Sequence, residues 1–119
     1  KLLQQTNDMR MFPGATPQVS SITDHNNFVY LYDKALGFFV FDYYGTYKSN
    51  LPFKNWANIS FSGNNLYGFE NNRLHVYRTQ LQKEAIYKMP QQWKDCISIK
   101  AMNGKIYILK KEGLEIYNL

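Results

Sequence analysis

Seven carboxylates, Asp24, Asp33, Asp42, Glu70, Asp95, Glu112 and Glu115, could supply general acid and base groups if the fold gathered two of them at one cleft. No pair has a spacing that forces such a meeting, and most fall beside expected turns, where capping a backbone donor is the ordinary role. His25 and His75 stand in no metal-ligand spacing, and no His-x-x-x-His, Cys-x-x-Cys or EF-hand pattern occurs. Each is expected as a surface or hydrogen-bonded histidine. Gly104-Lys105 lacks the other glycines of a phosphate loop, and no Gly-x-Ser-x-Gly elbow is present. Cys96 is the single cysteine, so an internal disulfide is excluded; within Cys96-Ile97-Ser98-Ile99 it reads as a small buried hydrophobe rather than a nucleophile. No catalytic, cofactor-binding or metal-binding residue is expected, and the role predicted is non-enzymatic.

Interaction chemistry is better represented. Among ten Tyr, eight Phe and two Trp, the residues Tyr43, Tyr44, Tyr47, Trp56 and Trp93 fall in loops or at outer edges, where amphipathic rings serve interfaces. For the repeated Trp56 and Trp93 the plainer expectation is packing between repeats. The formal charge is +5, but the cations are scattered, the densest group being Lys105, Lys110 and Lys111. Such scatter suits a solvated face and argues against a nucleic-acid partner, which needs cations aligned on one side. The candidate interaction surface is therefore the set of loops bearing Lys34, Tyr43, Tyr44, Arg73, Lys110 and Lys111.

The elements that must position these residues announce themselves by repetition. Phe28-Val29-Tyr30-Leu31-Tyr32 followed by Phe38-Phe39-Val40-Phe41 matches Leu66-Tyr67-Gly68-Phe69 followed by Leu74-His75-Val76-Tyr77, and again Ile106-Tyr107-Ile108-Leu109 followed by Leu114-Glu115-Ile116-Tyr117. Tyr30, Tyr67 and Tyr107 are 37 and 40 residues apart, Phe41, Tyr77 and Tyr117 are 36 and 40 apart, and Trp56 and Trp93 are 37 apart. A period of about 40 with several short strands per unit is the pattern of a β-propeller, whose blades must stack to bury their apolar faces. The predicted class is all-β, with about three four-stranded blades.

Each unit opens on an apolar alternation, Val19-Ser20-Ser21-Ile22, Ile59-Ser60-Phe61 or Ile97-Ser98-Ile99, that suits an inner strand with alternate side chains buried. Turns are expected at His25-Asn26-Asn27, Ser62-Gly63-Asn64-Asn65 and Asn103-Gly104, and second hairpins at 33–37, Asn71-Asn72 and 110–113. Outer strands are predicted from Tyr47 to Pro52 and from Ala85 to Pro90. Pro13 lies on the frame of Pro52 and Pro90, which makes Met9-Arg10-Met11-Phe12-Pro13 an outer strand without its own inner strands. The organisation predicted is residues 1–17 as the outer strand of a split blade and linker, blades at 18–56 and 57–95, and an incomplete blade at 96–119. Propellers ordinarily close with four or more blades. The segment is thus expected either as half of a six-bladed ring formed with a second copy or, as preferred, as the C-terminal part of a longer propeller.

The stretch from Val29 to Tyr47, with Asp33 after the second strand and Gly45 before the outer strand, resembles bacterial six-bladed propellers of the NHL-like and TolB-like type. The second unit has Glu70 in place of Asp33 and lacks the Gly, and the third has Leu109-Lys110 there. The resemblance implies an extracytoplasmic bacterial protein, periplasmic or associated with the outer membrane, in which the propeller is a binding platform. The function expected is protein binding or scaffolding in a cell-envelope complex, with carbohydrate binding or processing as the alternative. The partner expected is another protein or a second copy. No stretch approaches the roughly 20 apolar residues of a membrane span.

Overall fold

The computed structural model describes Leu2, residues 17–93 and residues 95–119, and among these the strands form three antiparallel sheets. The chain divides into two compact units, one ending at Asn55 and the other running Trp56–Leu119. The expected outer strand Met9–Pro13 lies outside the described residues. The class is all-β. Three sheets are fewer than the four blades from which a closed ring is ordinarily built, so ring closure is not a property of these residues alone.

The first unit holds β1 (Ser21–His25), β2 (Phe28–Asp33), β3 (Gly37–Asp42) and β4 (Tyr47–Leu51), paired in chain order. Its first turn, Asn26-Asn27, places both residues at positive φ, 49° and 69°. That is the twist a two-residue hairpin requires, and asparagine tolerates it. The second connection is longer, and here Asp33 is decisive. Its carboxylate accepts hydrogen bonds from the backbone N–H groups of Ala35 and Leu36 and of Gln18. Gly37 closes the loop at φ 100°, and a Cβ there would strike the carbonyl of Leu51. The alternating side-chain direction of β2 and β3 places Tyr30, Tyr32, Phe38 and Val40 on one face, with the Tyr32 and Phe38 rings 4.5 Å apart. Phe39 and Phe41 are buried on the other face.

The second unit contains β5 (Ala57–Ser62), β6 (Asn65–Glu70), β7 (Arg73–Arg78) and β8 (Lys83–Lys88), then a 3-10 turn at Gln91–Trp93, then β9 (Ser98–Met102), β10 (Lys105–Lys110) and β11 (Gly113–Asn118). Strands β5 to β8 make a four-stranded sheet in chain order, and β9 to β11 a three-stranded one. The turns Asn71-Asn72 and Asn103-Gly104 again hold both residues at positive φ. Because Asn-Asn adopts this two-residue turn unaided, Glu70 is released from the capping duty that Asp33 performs across the longer first-unit loop.

The two sheets meet through their first strands. Ser60 Oγ donates to the Ala101 carbonyl, the Asn103 N–H donates to Ser62 Oγ at 2.7 Å, and Ser62 Oγ donates to Asn103 Oδ1 at 3.1 Å. Behind this seam Tyr67, Phe69, Leu74 and Val76 pack with Met89, Trp93, Ala101, Ile106 and Ile108 into one apolar core, against which Cys96 and Ile99 are partly buried. Removing this much apolar surface from water is the main stabilising contribution of the unit.

Several expectations need correction. The alternation in Val19–Ile22 does not bury alternate residues: β1 is exposed, and Ile22 is 70% exposed. An alternating pattern selects a face but supplies no layer to cover it. The third opening strand starts at Ser98, which leaves Ile97 outside it and exposed. The outer strands span Tyr47–Leu51 and Lys83–Lys88, the second beginning earlier than expected because the preceding turn ends at Gln82, φ 53°. Trp56 belongs with the following sheet, not the preceding one, because its indole lies on Gly68, the only strand position there without a side chain to displace it.

Candidate interaction surface

Most carboxylates that could have served chemistry are occupied in holding the backbone or a neighbouring charge. Asp42 accepts from the N–H groups of Tyr44 and Thr46, each at 2.9 Å, and lies 3.8 Å from Lys48 Nζ. Asp24 accepts from the Tyr43 hydroxyl at 3.3 Å; burial and the adjacent negative charge raise the Tyr43 pKa. Asp33 is buried, which by itself would raise its pKa, but the donors Gln18, Ala35 and Leu36 outweigh that and hold it below the ordinary 3.8. Glu115 accepts from the Tyr117 hydroxyl at 2.7 Å and pairs with Lys110 at 3.1 Å, which lowers the Glu115 pKa and raises that of Lys110.

His75 is buried on β7, 8% exposed. Its Nδ1 lies 2.9 Å from Glu84 Oε2 and its Nε2 3.1 Å from Glu70 Oε1, while Glu70 also pairs with Arg73 at 3.2 Å. The Trp56 indole lies 5.2 Å away, tilted by 37°. Both ring nitrogens are thus engaged, and one face of the ring lies beneath the indole. The group organises β6, β7 and β8 through charge-assisted hydrogen bonds. Sequence reasoning left His75 as a surface or hydrogen-bonded histidine; it did not reveal the pair of carboxylates, which are separated from His75 by five and nine residues and converge only across the sheet.

The loop residues picked from the sequence are divided by the fold. Lys34 lies in the β2–β3 turn, Arg73 at the matching β6–β7 turn, and Lys110 and Lys111 at the matching β10–β11 turn, so all four occupy the same end of their respective sheets. Tyr43 and Tyr44 lie in the β3–β4 turn, at the opposite end of a six-residue strand about 20 Å long. The structure therefore does not bring Lys34 together with Tyr43 and Tyr44. Arg73 and Lys110 are each held by a glutamate, whereas Lys34, Tyr44 and Lys111 are exposed. Both tryptophans are buried, Trp56 on Gly68 and Trp93 in the core beside Tyr117, ring centroids 4.7 Å apart.

A surface the residue-by-residue reading missed lies on the third sheet. Register places Leu109 beside Leu114 and Tyr107 beside Ile116 on one face, the counterparts of Phe69, Leu74, Tyr67 and Val76 in the second sheet. The second-sheet set is buried against the third sheet. On the third sheet Leu114 is 58% and Ile116 54% exposed, and Lys100 shares their face through its pairing with Tyr107. The repeat itself was the available signal, since equivalent positions carry equivalent apolar residues whether or not a neighbour covers them.

No family model and no curated protein matches the chain. Among solved structures it is similar to the crystal structure of a computationally designed protein, Ika8, with a TM-score of 0.58 and 13% identity over 90% of this chain and 35% of that one. The likeness concerns fold alone, and this chain spans little more than a third of that one. Among the described residues no three His, Cys, Asp or Glu side chains gather to hold a metal ion, and no helix is long and apolar enough to cross a membrane.

Proposed function

We propose that the three sheets are consecutive blades of a β-propeller and that the chain acts as a protein-binding or scaffolding module without catalytic activity of its own. The observation that carries the binding role is the exposed apolar face of Leu109, Leu114 and Ile116 with Lys100 beside it. Contiguous apolar surface rimmed by charge is a feature of protein contact sites. The blade reading is supported by the shared strand order, by the 37- and 40-residue spacing of Tyr30, Tyr67 and Tyr107, and by the side-by-side first strands β5 and β9. The resemblance to NHL-like and TolB-like propellers extends the proposal to a complex of the bacterial cell envelope.

Carbohydrate binding is the weaker reading. With Trp56 and Trp93 buried, the exposed rings left for stacking on sugars are tyrosines, Tyr43, Tyr44 and Tyr47 in the first unit and Tyr87 and Tyr117 in the second. The test is capture of proteins from a cell-envelope extract by the chain and by its Leu114→Glu/Ile116→Glu variant, alongside a glycan array. A protein retained by the parent and lost with the variant is expected. Glycan binding abolished by Tyr43→Ala and Tyr44→Ala, with no protein retained, would overturn the proposal.

A further inference from the structure

Among the described residues, three two-residue turns begin with asparagine: Asn26-Asn27, Asn71-Asn72 and Asn103-Gly104. All three hold both residues at positive φ, 55° and 71° in the last, which differs from the others in one respect. The residue after its asparagine has no side chain. A Cβ at Gly104 would meet nothing within 4 Å, and Asn103 and Gly104 are both exposed. Met102 pairs with Lys105 across the turn, so the Gly104 N–H takes no part in the β9–β10 ladder. A backbone nitrogen in open space thus follows a side-chain amide with nothing to shield it.

Asn103 is also part of the seam between the second and third sheets. Its N–H donates to Ser62 Oγ at 2.7 Å, and Ser62 Oγ donates to its Oδ1 at 3.1 Å. These contacts tie the last residue of β5 to the residue that follows β9, beside the bond from Ser60 to Ala101. A chemical change at Asn103 therefore reaches the packing of one sheet against the next.

We propose that Asn103 is a site of spontaneous deamidation and that its isoaspartyl product loosens the seam between β5 and β9. The Gly104 nitrogen attacks Asn103 Cγ and forms a C–N bond, and the side-chain nitrogen leaves as ammonia with the proton that the Gly104 nitrogen gives up. Water then opens the succinimide at either ring carbonyl and leaves one carboxylate. No electrons are transferred, and solvent water is the co-reactant. Opening at Cγ breaks the new C–N bond again and gives aspartate. Opening at the α carbonyl gives isoaspartate, whose main chain runs through Cβ and Cγ and is one carbon longer. A two-residue turn has no room for that carbon, so the pairing of Met102 with Lys105 and the bond from the residue 103 N–H to Ser62 are lost together. Ring closure also requires rotation about the Asn103 Cα–C bond, which the closed turn does not permit. The turn must open first, and the two Ser62 bonds oppose that opening.

The test incubates the full chain at neutral and mildly alkaline pH and follows it by peptide mass mapping, with enzymatic methylation of isoaspartate as a second readout. Conversion is expected at Asn103 ahead of Asn26 and Asn71, and faster at the higher pH because the attacking amide must give up its proton. Gly104→Asn recreates the Asn-Asn turn present at 26–27 and 71–72 and should slow conversion to the rate of those turns. Ser62→Ala should quicken it by about 2–10-fold, the factor that one net hydrogen bond adds to a local opening. The converted chain, separated by ion exchange on its added negative charge, should exchange amides faster in β5 and β9 than the unconverted chain. Should Ser62→Ala misfold, the converted parent chain still decides. An Asn103 that persists in the folded chain while converting in urea would overturn the proposal, as would equal rates at the three turns. Conversion with unchanged exchange in β5 and β9 would overturn the link to the seam.

Discussion

The indole of Trp56 lies directly on the Cα of Gly68, so that a single added methyl group would occupy the space of the ring. Trp56 is only 4% exposed and has no open side into which to retreat. Gly68→Ala should therefore destabilise the second unit by about 1–3 kcal/mol through overpacking, despite the gain in strand propensity. Urea unfolding followed by Trp fluorescence measures it, and an unchanged midpoint would contradict the packing described.

Asp33 makes stability depend on pH. Its folded pKa lies below the ordinary 3.8, so its contribution is complete above that value and is lost as pH falls through the lower folded one. Asp33→Asn should cost about 1–3 kcal/mol at neutral pH, because the amide cannot accept from all three backbone donors. The variant's stability should also change less than the parent's on acidification below pH of about 4. Thermal melts at a series of acidic pH values check both statements.

His75 and Arg73 share Glu70 but differ in burial, and their substitutions should separate accordingly. His75→Ala leaves Glu70 and Glu84 facing each other around a vacated space, and a loss of about 1–3 kcal/mol is expected. Arg73→Ala removes an exposed pair and should cost less than about 1 kcal/mol. Equal losses in chemical denaturation would mean that the histidine does not organise the cluster.

Ser60 and Ala101 join the second and third sheets across forty-one residues of chain. Ser60→Ala should reduce stability by about 0.5–1.5 kcal/mol. Amide exchange should quicken in both β5 and β9, since the lost bond belongs to the seam. Faster exchange confined to β5 would show that the hydroxyl stabilises its own strand alone.

Much of the local structure was legible residue by residue. Asn71-Asn72 and Asn103-Gly104 announced two-residue turns because few other residues accept positive φ at both positions, and Asp33 before a longer loop announced a capping carboxylate. The recurrence of the β2–β3 pattern in β6–β7 and β10–β11 marked the paired strands of each unit, because equivalent positions carry equivalent residue types. Trp56 was harder: its spacing from Trp93 marked a structural role, but the glycine it covers lies twelve residues on and carries no pattern of its own.

The sequence by itself determined strand identity, turn chemistry and repeat, because backbone φ preferences and side-chain alternation act over a few residues. Only the tertiary structure decided that His75 joins Glu70 and Glu84, that Lys34 lies apart from Tyr43 and Tyr44, and that Leu114 and Ile116 stay exposed while Leu74 and Val76 are buried. These outcomes depend on strand register and on which layer covers each face. Identical local patterns can meet different neighbours, and burial is a property of the neighbour.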